Sequence, residues 1–296
     1  MMNSISAKDI FQSVLIMLLG AAVTVAILNG SWRDRRNDEE AARESASQEG
    51  SQSEITEPYT LPIAWGDLGA KMVSVGVIDY EKFVSLYDPA SSARNEAERL
   101  LAETDIGEVV ISEANANVLL NLLWGLGLGN RNPVLASGPM ADSRYGGIAN
   151  FASTGGWTLA SGSAMDHYSM HPFAALSPEA QIIVERVAGN IYRPCCNNPT
   201  IMPDCNHGMA MLGLLELMAA KGVSESEMYR AALAVNTFWF PDQYRTIDAY
   251  IDSRGGAARL DAKEILSRTY SSGSGYQKIA ALVDSAGRKS SGSCGL

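Results

Sequence analysis

The hydrophobic pattern of the chain begins with an uninterrupted apolar run. Residues 10–28 (IFQSVLIMLLGAAVTVAIL) carry no charged side chain and are about long enough to cross a bilayer core as a helix. The run is longer than the apolar part of a usual cleaved signal peptide, and no clear small-x-small cleavage site follows it. Residues 1–30 are therefore predicted to form an uncleaved membrane anchor, which makes the membrane the first expected partner.

Two signals disagree about which side of the membrane the rest of the chain occupies. Arg33, Arg35, Arg36 and Arg43 follow the apolar run, and the positive-inside rule would keep them in the cytoplasm. The thiol chemistry described below favours the outside. We expect a single-pass membrane protein whose main domain is extracytoplasmic.

A polar segment separates the apolar run from the part of the chain that can fold. Residues 31–58 are acidic and almost free of large apolar side chains. Such a segment cannot bury enough surface to offset the entropy lost on ordering. It is predicted to be a disordered linker, with the folded chain beginning near Tyr59.

The region 59–165 is predicted to be mainly helical. Residues 91–103 are rich in helix formers, and Ser112 is well placed to cap the next helix. That helix is predicted to end at Gly125–Gly129, in a close-packed loop. Residues 137–163 are rich in glycine and serine and are predicted to form an irregular loop.

The second half has the clearest helical pattern. Ser177 is followed by a proline at the first helical position, and Ser224 opens a capping box. Together with the apolar spacing, these signals predict five helices, near 177–191, 208–221, 224–240, 262–268 and 276–286. We expect a mostly α fold, with a helical domain over 166–285 that contains a segment like a three-helix bundle, and a flexible tail over 286–296.

Charge and motif searches exclude several functions. The formal net charge is −10, and the arginines after the apolar run are interleaved with acidic residues. Because nucleic-acid binding needs a clustered positive field, nucleic acid is excluded as a partner. The glycine run Gly125–Gly129 does not have the spacing of a dinucleotide-binding motif, and there is no phosphate loop or Ser/His/Asp triad signal.

The scarce reactive side chains are concentrated in one segment. It contains all three histidines and three of the four cysteines of the chain, namely His167, His171, Cys195, Cys196, Cys205 and His207. Thiolate and imidazole are the donors that thiophilic metals prefer, and thiols also carry out disulfide exchange. We take these six residues as candidate metal ligands. Nearby methionines such as Met170 and Met202 favour copper slightly over zinc, because Cu(I) also accepts thioethers.

The predicted helices bring parts of this cluster together. Cys195 and Cys196 follow one predicted helix, and Cys205 precedes the next, so a helical hairpin would place them side by side. A helix N-terminus should lower the pKa of the Cys205 thiol. If the segment around them is helical, His167 and His171 lie one turn apart on the same face, a common metal-ligand spacing.

Three motifs occur in order along this half, Leu176-Ser-Pro-Glu-Ala180, Tyr192-Arg-Pro-Cys-Cys196 and Gly222-Val-Ser-Glu-Ser-Glu227. With them, the stretch 176–241 resembles the CcmH-type membrane-anchored thiol oxidoreductases of cytochrome c maturation. The resemblance implies a three-helix bundle that presents thiols at its first hairpin, outside the cytoplasm. In that family two residues separate the cysteines, whereas here they are adjacent, and the additional Cys205 and His207 favour a metal.

Three functional hypotheses follow. The first is a membrane-anchored protein that holds or transfers copper or zinc through the motif Cys-Cys-x8-Cys-x-His, supported by His167 and His171, with a metal-accepting protein as partner. The second is an extracytoplasmic thiol–disulfide oxidoreductase or assembly factor, acting on a thiol-containing protein. In it, Cys205 or Cys196 attacks as the thiolate, another cysteine resolves, and Cys294 acts from the tail. The third is a structural protein with a disulfide-locked helical hairpin.

Overall fold

The computed structural model describes residues 57–254 and 260–291. Three sequence predictions lie outside these residues: the membrane anchor at 10–28, nearly all of the polar linker at 31–58, and the role of Cys294. None of the described helices is both long enough and apolar enough to span a membrane.

The described chain is mostly helical, as the sequence predicted. Its α-helices are α1 (Leu68–Ser74), α2 (Tyr80–Val84), α3 (Ser92–Ala102), α4 (Ala116–Gly129), α5 (Pro133–Ser137), α6 (Pro178–Ala188), α7 (Asn206–Ala220), α8 (Glu225–Trp239), α9 (Pro241–Ser253), α10 (Ala262–Ile265), α11 (Arg268–Ser271) and α12 (Gly273–Ser291). Two strands, β1 (Tyr59–Leu61) and β2 (Val109–Ile111), form a small sheet. Single turns of 3₁₀ helix occupy Pro139–Ala141, Ser143–Tyr145, Ile148–Asn150 and Ala164–Asp166.

The small sheet joins the start of the described chain to the core. Its strands are antiparallel, with Tyr59 opposite Ile111 and Leu61 opposite Val109. Leu61, Val109 and Ile111 are buried, whereas Val110 points to solvent. The hydrophobic pattern did not predict this sheet, because three-residue strands are too short to show a period-two pattern.

Helices α4 and α7 form the centre of the fold. Most of their residues are buried, which is typical of helices that are apolar on every side. Their glycines let the two backbones approach closely: a Cβ at Gly127 would lie 2.1 Å from the Met209 carbonyl oxygen, and one at Gly213 would lie 2.7 Å from the Leu123 oxygen. The predicted helix end at Gly125 is therefore wrong, since this packing outweighs the low helix propensity of glycine.

One hydrophobic core contains residues from both sides of the predicted boundary at residue 165. Leu61 and Leu122 belong to it from the first region, and Leu214 and Leu266 belong to it from the second. The two regions therefore share their buried surface. A smaller cluster joins α9 to α12 through Phe240, Tyr244, Ile247 and Ile279.

The helix starts of the second half agree with their sequence signals. Ser177 caps α6 by accepting a hydrogen bond from Ala180 N, and Ser224 caps α8 by accepting one from Glu227 N. No helix was predicted between residues 240 and 262. In the structure Pro241 opens α9, where its missing N–H costs nothing because the first turn has no intrahelical acceptor for it.

The glycine- and serine-rich segment 137–163 is irregular, as predicted, but aromatic contacts fix it in place. Trp157 Nε1 donates to the Val77 carbonyl oxygen at 2.8 Å. The Trp157 ring also packs against Trp124 of α4, with 4.9 Å between ring centroids. This segment therefore covers one side of α4.

Candidate functional site

The three described cysteines lie on or next to the loop between α6 and α7. Tyr192 N donates to the Leu266 oxygen at 2.8 Å, and Gly273 N donates to the Cys196 oxygen at 2.7 Å. Leu266 follows α10 and Gly273 begins α12, so the C-terminal helices hold the thiol-bearing loop in position. All three cysteines are free thiols in the structure.

Cys205 occupies the N-cap position of α7. Its backbone is extended, and its sulfur accepts a hydrogen bond from Gly208 N at 3.4 Å. Both the unpaired N–H groups and the positive end of the helix dipole favour a negative sulfur at this position. The structure thus places the thiol where the sequence analysis expected it.

A buried arginine faces the same sulfur. The Arg193 side chain is 0% exposed, and its Nε donates to Cys205 Sγ at 3.1 Å. The rest of the guanidinium donates to Thr200 Oγ1 at 3.4 Å and to Asp204 Oδ1 at 3.3 Å. Burial alone would lower the pKa of Arg193, but the negative Cys205 sulfur raises it, so the guanidinium stays charged.

Glycine at position 208 makes room for this arginine. A Cβ on Gly208 would lie 2.2 Å from a terminal guanidinium nitrogen of Arg193. Real Cβ atoms do not approach so closely, so any larger residue would push the guanidinium away from Cys205. The arginine–thiolate contact therefore depends on a second residue of the local sequence.

Cys195 is the exposed partner of Cys205. The two sulfur atoms lie 3.8 Å apart. Hydrogen bonds from Cys195 and Cys196, with the charge of Arg193, hold the pKa of Cys205 well below that of an ordinary thiol, despite its partial burial. The contacts that Cys195 makes with Cys196 and Cys205 have the opposite effect and raise the pKa of Cys195. Cys205 is thus the more acidic thiol of the pair and Cys195 the less acidic one.

Cys196 lies beside this pair, with a different set of contacts. Its thiol donates to the Asn198 oxygen at 3.7 Å. Its contact with Cys195 lowers its pKa, but its contact with Cys205 and its burial raise it, and the net direction is upward. Cys196, Asp204 and Cys205 also form a group whose possible ligand atoms lie within 4.8 Å of one another.

His207 completes a second group of possible ligands. Its ring packs against Phe240 and Trp239, with centroids 4.5 and 5.7 Å away. One ring nitrogen and the sulfurs of Cys195 and Cys205 all lie within 4.8 Å of one another. Two thiols and one imidazole at this spacing fit a thiophilic metal such as zinc.

The structure places His167 and His171 in a pair of their own. They are in neither of the two ligand groups found among the described residues. The segment is not a continuous helix: a 3₁₀ turn at Ala164–Asp166 ends before it, and Ser169 adopts a left-handed φ of 55°. Even so, His167 Nδ1 and His171 Nε2 lie 3.2 Å apart.

The methionines near the cluster in sequence do not share one environment. Met209 and Met211 are completely buried in the main core, Met202 is buried and Met170 is exposed. Met209 and Met211 therefore act as packing residues, as thioethers often do. Their position removes part of the sequence argument for copper over zinc.

Sequence reasoning missed the roles of Arg193, Asp204 and Gly208. Arg193 is part of the motif Tyr192-Arg-Pro-Cys-Cys196, and Gly208 follows Cys205-Asn-His207 in the first turn of α7. An arginine and a glycine close to cysteines were the available signal. Their contacts depend on how the loop folds, which periodicity does not report.

A buried carboxyl was also missed. Glu216 of α7 is 0% exposed; its Oε1 accepts from Asn132 Nδ2, and its Oε2 has no hydrogen-bond partner. Burial raises the pKa of Glu216 to about 8, although the amides of Asn130 and Asn132 partly oppose this. The group is therefore mostly neutral at pH 7.

The chain was compared with models of known families, with curated proteins and with solved structures. Nothing matches. The resemblance to the CcmH-type oxidoreductases therefore stays a prediction from three short motifs, and the functional argument depends on the geometry of the site.

Proposed function

We propose that Cys195 and Cys205 form a thiol–disulfide exchange couple that accepts electrons from dithiol substrates. The observation that carries this proposal is the fully buried guanidinium of Arg193, with Nε 3.1 Å from Cys205 Sγ. A buried positive charge stabilises the thiolate of Cys205 and therefore the reduced form of the couple. It also disfavours a second cation bound to the same sulfur.

The positions of the two sulfurs assign their roles. In the oxidised couple, a substrate thiolate attacks the exposed sulfur of Cys195. The Cys195–Cys205 bond breaks and its electron pair leaves with Cys205, as the thiolate that Arg193 and the α7 N-terminus stabilise. A thiol of low pKa is a good leaving group, so this direction of attack is favoured.

A second exchange completes the transfer. The other thiolate of the substrate attacks the substrate sulfur of the mixed disulfide, and Cys195 leaves and takes up a proton. The substrate dithiol is then oxidised to a disulfide, and the couple has accepted two electrons. Exchange with a more oxidising disulfide, running through the same steps in reverse, restores the Cys195–Cys205 bond.

The couple needs little movement to close. The sulfurs are 3.8 Å apart and a disulfide bond is about 2.05 Å, so they must approach by about 1.8 Å. Cys195 is exposed, whereas hydrogen bonds from Arg193 and Gly208 N hold the sulfur of Cys205. Closure therefore proceeds by movement of Cys195.

The experiment compares two adjacent cysteines as matched variants. The oxidised full chain is mixed with a reduced dithiol peptide, and peptide disulfide is measured by mass spectrometry. We expect about one peptide oxidised per chain for the wild type and for Cys196→Ser, and none for Cys195→Ser. If Cys196→Ser abolishes the transfer and Cys195→Ser does not, the proposed couple is wrong.

A second proposal, supported by a separate observation, is metal holding. Cys195, Cys205 and His207 present two sulfurs and one nitrogen within 4.8 Å of one another, which fits a zinc or copper site with a free fourth position. Binding would require Cys195 to lose its proton as well. Its test is elemental analysis of the reduced full chain: about one ion per chain, lost in His207→Ala, would support it, and absence of metal would reject it.

A further inference from the structure

We propose that His167 and His171 form a separate binding site for a divalent transition-metal cation that prefers imidazole, such as Ni²⁺ or Zn²⁺. The nitrogen atoms His167 Nδ1 and His171 Nε2 lie 3.2 Å apart. Two metal–nitrogen bonds of about 2.0–2.1 Å at a tetrahedral angle separate their nitrogens by about 3.3 Å. The two nitrogens are thus already near the separation of ligands that share one metal ion, and the rings need only turn from their mutual hydrogen bond to direct both lone pairs at it.

A backbone carbonyl fixes the tautomer that such a site needs. His167 Nε2 lies 3.1 Å from the Ser161 oxygen, which can only accept a hydrogen bond. The His167 proton is therefore on Nε2, and the lone pair of Nδ1 points towards His171. Imidazoles that bind metals commonly donate their other N–H to a carbonyl or a carboxylate in this way.

His171 supplies the second nitrogen without a change of charge. In the absence of metal, His171 Nε2–H donates to the lone pair of His167 Nδ1. When the cation binds, the His171 proton moves to its own Nδ1, and Nε2 presents a lone pair to the ion. The proton stays within the His171 ring, so this change of tautomer releases no proton to solvent.

Backbone hydrogen bonds hold the main chain on both sides of the pair before any ion binds. His171 N donates to the Gly129 oxygen at 2.8 Å, and Arg131 N donates to the His171 oxygen at 2.8 Å. On the other side, Ser161, whose oxygen lies against His167 Nε2, donates its N–H to the Gly76 oxygen at 2.9 Å. A pair on a fixed main chain loses little conformational entropy on binding.

Access and charge set limits on the site. His167 is 8% exposed and His171 is half-buried, so a cation would reach the pair from the His171 side. The charge of Arg131 acts on His171 and opposes a dication. With two protein ligands, the other coordination positions belong to water or to a donor from another molecule, and we expect moderate affinity.

The test uses the full chain carrying Cys205→Ser, so that thiol binding does not contribute. Cys205 belongs to both thiol-containing ligand groups, and serine is a good N-cap in its place. Because this background has no exchange couple, the result does not depend on the proposed function. Ni²⁺ binding is measured by calorimetry with and without His171→Gln, and His207→Ala serves as the matched control.

We expect His171→Gln to weaken Ni²⁺ binding at least about tenfold and His207→Ala to leave it unchanged. In the histidine NMR spectrum, Ni²⁺ should broaden the ring signals of His167 and His171 before those of His207. An unchanged affinity in His171→Gln overturns the proposal. A loss of Ni²⁺ affinity in His207→Ala also overturns the proposal, because that result would place the ion at the cysteine loop.

Discussion

The buried carboxyl of Glu216 makes the stability of the fold depend on pH in an unusual direction. Glu216 lies in the core with one oxygen bonded to Asn132 and the other without a partner. Burial raises its pKa from 4.5 to about 8. The folded chain therefore holds a proton on Glu216 at pH values where the unfolded chain has already lost it.

The sign and size of the effect follow from this shift. Because the folded-state pKa is the higher one, the stabilisation is complete below about pH 4.5 and is lost as the pH rises through about 8. Each pH unit in this window costs about 1.4 kcal/mol. Between pH 6 and pH 9 the free energy of unfolding should fall by about 3 kcal/mol because of this group alone.

The assay is urea unfolding of wild type and Glu216→Gln at pH 6, 7, 8 and 9. Glutamine has the shape of the protonated carboxyl but does not titrate, so the loss of about 3 kcal/mol should be absent from Glu216→Gln. Glu108→Gln, at an exposed position, is the matched control and should follow the wild type. If wild type and Glu216→Gln show parallel pH profiles, the buried carboxyl is not protonated and the reasoning is wrong.

Three further predictions concern packing and the thiol site. Gly127→Ala should destabilise the fold by about 1–3 kcal/mol in urea unfolding, because the alanine Cβ would overlap the α7 backbone. Gly107→Ala is the control and should have little effect, because its Cβ would meet nothing within 4 Å. Gly208→Ala should displace Arg193 and raise the pKa of Cys205, which would appear as slower alkylation by iodoacetamide at pH 6. In the wild type, alkylation of Cys205 should continue as the pH falls from 8 to 6, because its lowered pKa preserves the thiolate, and peptide mass spectrometry would report this.

The sequence predicted those parts of the fold whose signals are local. The caps at Ser177 and Ser224 gave the correct starts of α6 and α8, because an N-cap acts within one turn of its own helix. The end of α4 was predicted wrongly at Gly125, because the decisive contact is with α7, more than 80 residues later in the chain. Close backbone packing of this kind is visible in the sequence only as small residues, and small residues are also typical of loops.

The sequence also predicted part of the candidate site. The residue types and the helical hairpin indicated that Cys195 and Cys205 would meet, and they do. The sequence indicated that His167 and His171 would lie close together, but not that they would lie outside the thiol-containing ligand groups, nor that Arg193 would bind the Cys205 sulfur. Both results depend on tertiary contacts of loops, which hydrophobic periodicity does not encode.

The most direct test of the account is the redox potential of the Cys195–Cys205 couple, measured by equilibrating the full chain in glutathione buffers and mapping the disulfide. Stabilisation of the Cys205 thiolate favours the reduced form, so we expect a potential less negative than about −200 mV. Each unit of the Cys205 pKa corresponds to about 30 mV, so Arg193→Gln should shift the potential by about 30–90 mV to more negative values. Arg193→Lys, which keeps the charge, should shift it less. A Cys195–Cys205 disulfide whose potential is the same in wild type and Arg193→Gln, or a disulfide that forms between other cysteines, would contradict the account.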